Sequence, residues 1–370
     1  MRLLRPTHYL LAVIGVMAGF IGVQLYADLS PQDTIAAVRS RLGGDPQADH
    51  AADYSVDLFP AANAGLMEAL RAVPREPRAT TGAELMRVLG VHRLADTNPI
   101  SYSIATTDST EGVVHRQGTF ESYDGVEVPF YELRPPGFTE GRRQAAVVLF
   151  SGHGRMDQLA FDRRSYQKGA GLDLARQGFL VFVMENRGMG TLSYLGDHLR
   201  IDAVARMLGG SWYGEVITDG LLFLDFVLQR PYVNGRVGVG GVSSGGALSL
   251  MTAAIDGRVT SAYVQGYFGS YRTTFGTRAN HDLCNNIPAI LRHFDMSDIA
   301  LLIFPRPVLF VNGKRDKFYY GDAVEAFEPV EARYAAGGVA DLASIATPED
   351  VKHEFSVELA RAFFARTLDR

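Results

Sequence analysis

The chain has 370 residues, 47% of them hydrophobic, which suits one large globular domain or two ordinary ones. Its 36 basic and 41 acidic side chains leave a net charge of −5, and no basic footprint of the kind that grips nucleic acid is present. The single cysteine, Cys284, excludes an internal disulfide and argues against a thiolate zinc site. No flanking motif marks it as a nucleophile, so it reads as a small buried hydrophobe.

The N-terminus carries the first predicted element. Arg2 and Arg5 precede an uncharged stretch, Tyr9 to Ala27, with no polar face to suit a buried surface helix. At about 1.5 Å per residue it can cross a bilayer core of about 30 Å. Positive charge ahead of it predicts a cytoplasmic N-terminus and an exported remainder, periplasmic or extracellular. A cleaved signal peptide starts similarly, and cleavage would leave a secreted protein. Leu25-Tyr26-Ala27 is a poor cleavage site, so residues 1–28 read as an uncleaved anchor.

Residues 29–100 read as a helical accessory region. Ser30-Pro31 with Asp33 starts one helix, which Gly43 can end. Ala61 to Val73 suggests a second. Thr81 and Glu84 form a possible capping box for a third, through Leu89.

From about residue 101 the pattern is extended and then alternating. Thr119–Tyr123 and Val126–Leu133 flank Asp124-Gly125, a short hairpin signal. Predicted strands follow at Ala145–Phe150, Phe179–Met184, Val237–Gly240, Ser261–Gln265 and Pro307–Asn312. Helices are predicted at Gln167–Gln177, Ile217–Gln229, from about Ser244, and at the C-terminus to about Thr367. Short apolar strands separated by helices imply a mostly parallel sheet flanked by helices on both faces. Chemistry in such sheets gathers beyond the carboxyl ends of the strands. That rim holds Ser151–Arg155, Glu185–Gly190, Ser243 and Gly313–Asp316.

Gly241-Val242-Ser243-Ser244-Gly245 matches G-x-S-x-G directly between a predicted strand and a predicted helix. This is the context of a nucleophile elbow, where the turn is tight and needs small neighbours. Ser243 is the candidate nucleophile. Ser244 is its rival, but its register puts Val242 where glycine is wanted. A serine hydroxyl needs a base. Of the histidines after Ser243, His353 lies in a loop ahead of the C-terminal helix, whereas His281 and His293 precede the last main strand. The acid is expected just beyond a strand end. Asp316 fits, Asp322 competes, and a salt bridge from Asp316 to Lys314 or Arg315 is the plain structural alternative. For an oxyanion, Ser244 offers its backbone N–H, and His153 offers either its backbone N–H or its imidazole.

These segments resemble the dienelactone hydrolase and acetyl xylan esterase-like branch of the α/β-hydrolases, from about Phe120 to the C-terminus. The matching runs are Phe150–Gly154, Glu185–Gly190, the elbow at Ser243 and His353-Glu354-Phe355. They also include Cys284-Asn285-Asn286-Ile287-Pro288, Phe294–Ala300 and Pro305-Arg306-Pro307. The resemblance implies an α/β-hydrolase fold, a Ser243–Asp316–His353 triad and an oxyanion role for His153. It implies hydrolysis of a small-molecule carboxylic ester, of small acyl or carbohydrate type, with no cofactor or metal. Where relatives often begin the oxyanion loop with His-Gly, this chain has Ser151-Gly152. A prolyl oligopeptidase-type peptidase shares the catalytic domain, but residues 28 to 100 are too few for its gating domain. A membrane-tethered binding module on an inactive hydrolase fold would be expected to lack a triad member, and none is missing.

Overall fold

The computed structural model describes residues 81–92, 99–272, 283–316 and 321–368. The expected membrane segment, residues 1–28, and the expected helices at Ser30–Gly43 and Ala61–Val73 lie outside the described residues. Among the described residues no helix is long and apolar enough to cross a membrane.

The first element, α1 (Gly82–Leu89), begins after Thr81 as expected, but only half of the capping box forms: the Thr81 hydroxyl accepts the Glu84 N–H at 3.2 Å, while the Glu84 carboxylate bonds His293. It ends at Gly90, whose φ of 76° is the left-handed conformation typical of a helix stop. Leu85, Val88 and Leu89 enter the main hydrophobic core.

Three antiparallel strands follow: β1 (Tyr102–Thr110), β2 (Val113–Glu121) and β3 (Glu127–Arg134). The β2–β3 hairpin turns at Asp124-Gly125, closed by Ser122 N–H to Val126 O at 2.8 Å. Then β4 (Gln144–Phe150), α2 (Met156–Ala160), α3 (Ala170–Arg176), β5 (Leu180–Met184), α4 (His198–Met207) and α5 (Trp212–Leu228) lead to β6 (Val233–Val242). After β6 come α6 (Ser244–Ile255), β7 (Val259–Gln265), α7 (Met296–Leu301), β8 (Val308–Val311), α8 (Ala323–Ala336), β9 (Ala343–Ala346) and α9 (Val357–Leu368). The sheet order is β1-β2-β3-β5-β4-β6-β7-β8-β9, parallel from β5 to β9.

The alternation of side chains along each strand separates two cores. Along β4, Ala146, Val148 and Phe150 enter the larger core, and Val147 and Leu149 the smaller. The larger core is covered by α1, α5, α6, α7 and α8, the smaller by α2, α3 and α9. This is why the central strands read as unbroken apolar runs. Helix α5 is buried almost all round because it lies between the sheet and α1, α4 and α6.

The structure corrects several predicted boundaries. Strand β2 begins six residues before Thr119, and the whole of β1 carried no signal. β1 reads Tyr-Ser-Ile-Ala-Thr-Thr-Asp-Ser-Thr and is exposed except at the half-buried Ile104, so it has no sustained apolar face to betray it. The short edge strand β9 was missed for a similar reason, having one buried residue in four. Helix α5 starts at Trp212 rather than Ile217, because the Ser211 side chain accepts the Gly214 N–H and caps it there. Helix α3 starts at Ala170 rather than Gln167, whose buried side chain serves the loop after β4 instead.

Candidate active site

The end of β6, the turn at Ser243 and the start of α6 make one sharp corner. Ser243 has φ 62° and ψ −128°, a strained conformation for a residue with a Cβ. The motif glycines are required by close backbone approach. A Cβ on Gly241 would lie 2.4 Å from the Gly245 carbonyl carbon, and one on Gly245 would lie 2.1 Å from Phe150 O. Ser243 is held from the other side by its N–H, which donates to Gln265 O at 2.9 Å. Its side chain stands at the N-terminus of α6, and Ser244 opens the first turn, where backbone N–H groups have no intrahelical acceptor.

His353 and Asp316 meet directly: Nδ1 and Oδ2 are 2.8 Å apart, and Asp316 is 5% exposed. Gly266, next after Gln265, touches both of them. A Cβ there would lie 3.3 Å from His353 Cε1 and Nδ1 and 3.3 Å from Asp316 Oδ2. The residue that fixes the Ser243 backbone and the residue packed on the His–Asp pair are therefore neighbours in the chain.

The two bases beside Asp316 have carboxylate partners of their own. Lys314 pairs with Glu349 at 2.5 Å, and Arg315 with Asp350 at 3.5 Å. Asp322 stands at the N-cap position of α8. Asp295 and Asp298 cap α7, and His293 bonds Glu84 at 2.9 Å, far from the elbow in role. His281 lies outside the described residues.

The loop after β4 is fixed by Asn186 of the Glu185–Gly190 run and by Gln167 and Tyr166, for which the sequence pattern indicates no role in the site. Gln167 Oε1 accepts the Gly152 N–H at 2.8 Å, and Asn186 Nδ2 donates to Ser151 O at 2.9 Å. The Tyr166 hydroxyl donates to His153 O at 3.1 Å, while its ring stacks on His353 at 5.6 Å. Gly152 has no room for a side chain, since a Cβ would lie 2.0 Å from the Tyr166 hydroxyl and 2.9 Å from Val242 O. The His153 imidazole points elsewhere: Nε2 is 3.3 Å from Cys284 Sγ, and the ring stacks on Trp212.

The motif Glu185–Gly190 lies beneath this loop. Arg187 binds the fully buried Asp219 at 2.7 Å and Asp124 at 2.7 Å, tying α5 to the β2–β3 turn. Glu185 accepts the Met156 N–H at 3.0 Å, and its burial pushes its pKa up to about 7. Gln265 serves the base loop: its side chain donates to Glu354 O at 2.5 Å and accepts the Ser356 N–H at 2.8 Å. Gln167, Tyr166 and Gln265 could not be found from local pattern, because the loop contacts that matter here, to Gly152, His153 and Ser356, are 13 to 91 residues away.

No protein-family model matches the chain. In sequence it is 27% identical over 273 residues to YtaP of Bacillus subtilis (strain 168), provisionally named a hydrolase, covering 71% of this chain and 90% of that protein. A Bacteroides fragilis NCTC 9343 structure, provisionally named an acetyl xylan esterase, superposes with a TM-score of 0.67 at 17% identity, covering 84% of this chain and 96% of that one. Acetyl xylan esterase 1 from a Thermoanaerobacterium species superposes with a TM-score of 0.57 at 20% identity, covering 84% and 99%. Its nine-stranded sheet, its elbow at the end of β6 and these structural neighbours show that the chain has the α/β-hydrolase fold.

Proposed function

We propose that the chain is a serine carboxylic ester hydrolase acting on small acyl or carbohydrate esters. The observation that carries this reading is the 2.8 Å His353–Asp316 pair packed on Gly266, beside the residue that anchors the strained Ser243 backbone. A carboxylate on Nδ1 leaves Nε2 as the acceptor for a serine proton. His353 takes that proton as Ser243 Oγ attacks the ester carbonyl. The N–H groups of Ser244 and His153 hold the oxyanion; the His153 ring is engaged with Cys284, which favours the backbone as donor. His353 then protonates the leaving alcohol. It next takes a proton from water as that water attacks the acyl carbon, and gives the proton to Ser243 Oγ as the acid leaves. Acyl transfer of this kind calls for no cofactor.

The carbohydrate-ester preference is supported by the names of the structural neighbours, acetyl xylan esterases among them. The run from Tyr9 to Ala27 behind Arg2 and Arg5 supports an enzyme tethered to a membrane and exported. The test is labelling with a fluorophosphonate, followed by hydrolysis of acetyl, methyl and sugar esters beside a prolyl peptide anilide. Ser243-dependent labelling with ester turnover is expected. Labelling with peptide cleavage alone would replace the esterase by a peptidase, and no labelling would leave a binding module.

A further inference from the structure

We propose a second site, for a thiophilic divalent cation such as Zn²⁺, formed by His153, His198 and Cys284. The three come from the loop after β4, the first residue of α4 and the turn Leu283–Asn285. Their ligand atoms lie within 4.8 Å of one another, and the Cys284 sulfur is 3.3 Å from His153 Nε2. Cys284 is fully buried and His198 is 5% exposed. A single cysteine rules out an all-thiolate site but not a mixed one with two imidazoles.

The surroundings are built for ligation. Zinc bonds of about 2.0 to 2.3 Å put tetrahedral ligand atoms roughly 3.5 Å apart, so the cluster needs to contract by roughly 1 Å. Trp212 packs against both imidazoles, at ring distances of 5.8 Å from His153 and 5.6 Å from His198, and its Nε1–H is fixed on Arg187 O at 2.9 Å. Asn285 Nδ2 donates to the Cys284 sulfur at 3.6 Å, and Tyr213 O–H holds Asn285 Oδ1 at 2.7 Å. An N–H aimed at sulfur favours its thiolate form, the form a metal needs. Three protein ligands leave a fourth position for water or another small ligand. Binding converts Cys284 S–H and the hydrated ion to a metal thiolate and one released proton. The site joins the oxyanion loop to α4, and it stands independently of the esterase reading.

The full chain, stripped by chelator, is titrated with Zn²⁺ against a chromophoric chelator, and separately with Co²⁺ in the spectrophotometer. One equivalent should bind with release of a proton, and Co²⁺ should give a near-ultraviolet thiolate-to-metal band. Cys284→Ser should lose that band, and Cys284→Ser and His198→Gln should each weaken Zn²⁺ roughly 10- to 100-fold or more. Absence of the band in the wild-type protein, or equal Zn²⁺ affinity in wild type and both variants, overturns the site. If circular dichroism finds a variant unfolded, the wild-type cobalt spectrum and proton release decide alone.

Discussion

Asp316 and His353, 37 positions apart in the chain, meet through a 2.8 Å contact between Oδ2 and Nδ1. The contact is imposed by backbone. Lys314 N–H donates to Pro348 O at 2.9 Å and Arg315 N–H to Val351 O at 3.1 Å, so the two loops are laced together beside the pair. A Cβ on Gly313 would lie 2.2 Å from Val351 O, which shows how close the loops run.

If that contact orients the base, Asp316→Asn should keep the fold but favour the wrong imidazole tautomer. By analogy with the trypsin-type triad, turnover should fall on the order of 10⁴-fold. Asp322→Asn, at the cap position of α8, should change the rate little and stability by roughly 0.3 to 1 kcal/mol. Kinetics of both variants with circular dichroism is the check; a crippled Asp322→Asn with an active Asp316→Asn would require a different triad.

Ser243→Ala should abolish ester hydrolysis and leave the strained turn in place. Ser243→Gly should also be inactive, but should gain about 1 kcal/mol of stability, because glycine accepts φ 62° without a Cβ penalty. Denaturant titration of the two variants measures the difference. Equal stability would mean that the strain is absorbed elsewhere.

Gly152→Ala tests the loop after β4. Its new methyl would collide with the Tyr166 hydroxyl and Val242 O, pushing His153 N–H off the oxyanion position proposed for it. Loss of one such donor costs about 10²- to 10³-fold in kcat. The expected result is a fall in kcat of that size with a smaller change in KM. A change confined to KM would place the loop in substrate binding alone.

Glu185 gives a stability prediction with a defined sign. Its folded pKa of about 7 lies above the ordinary value of 4.5, so the native state favours the protonated acid. Its contribution is fully present below the unfolded pKa and is lost as pH rises through about 7, a span worth on the order of 3 kcal/mol. Glu185→Gln should therefore gain on the wild type as pH is raised from about 5 to about 8. Paired thermal melts across that range are the measurement. A wild-type minus variant difference that does not move with pH would show that Glu185 stays ionised throughout.

The sequence by itself determined those features whose signals are local. The strand-to-helix alternation is readable because each central strand is buried on both faces. The hairpin at Asp124-Gly125 and the elbow at Ser243 are readable because their glycines answer to tight turns and close backbone contacts a few residues away. The candidate order Ser243, Asp316, His353 is read from the chain order expected of this fold, with the acid placed beyond a strand end. Only the tertiary structure decided the rest. Both Asp316 and Asp322 lie beyond β8, and the choice of partner for His353 rests on backbone bonds between loops that sequence spacing does not record. Strands β1 and β9 are edges whose pairing, not their composition, makes them strands. Gln265, Tyr166, Glu185 and the cluster of His153, His198 and Cys284 acquire their chemistry from burial and from neighbours distant in the chain. Such contacts are products of the whole packed core, so no local pattern can announce them.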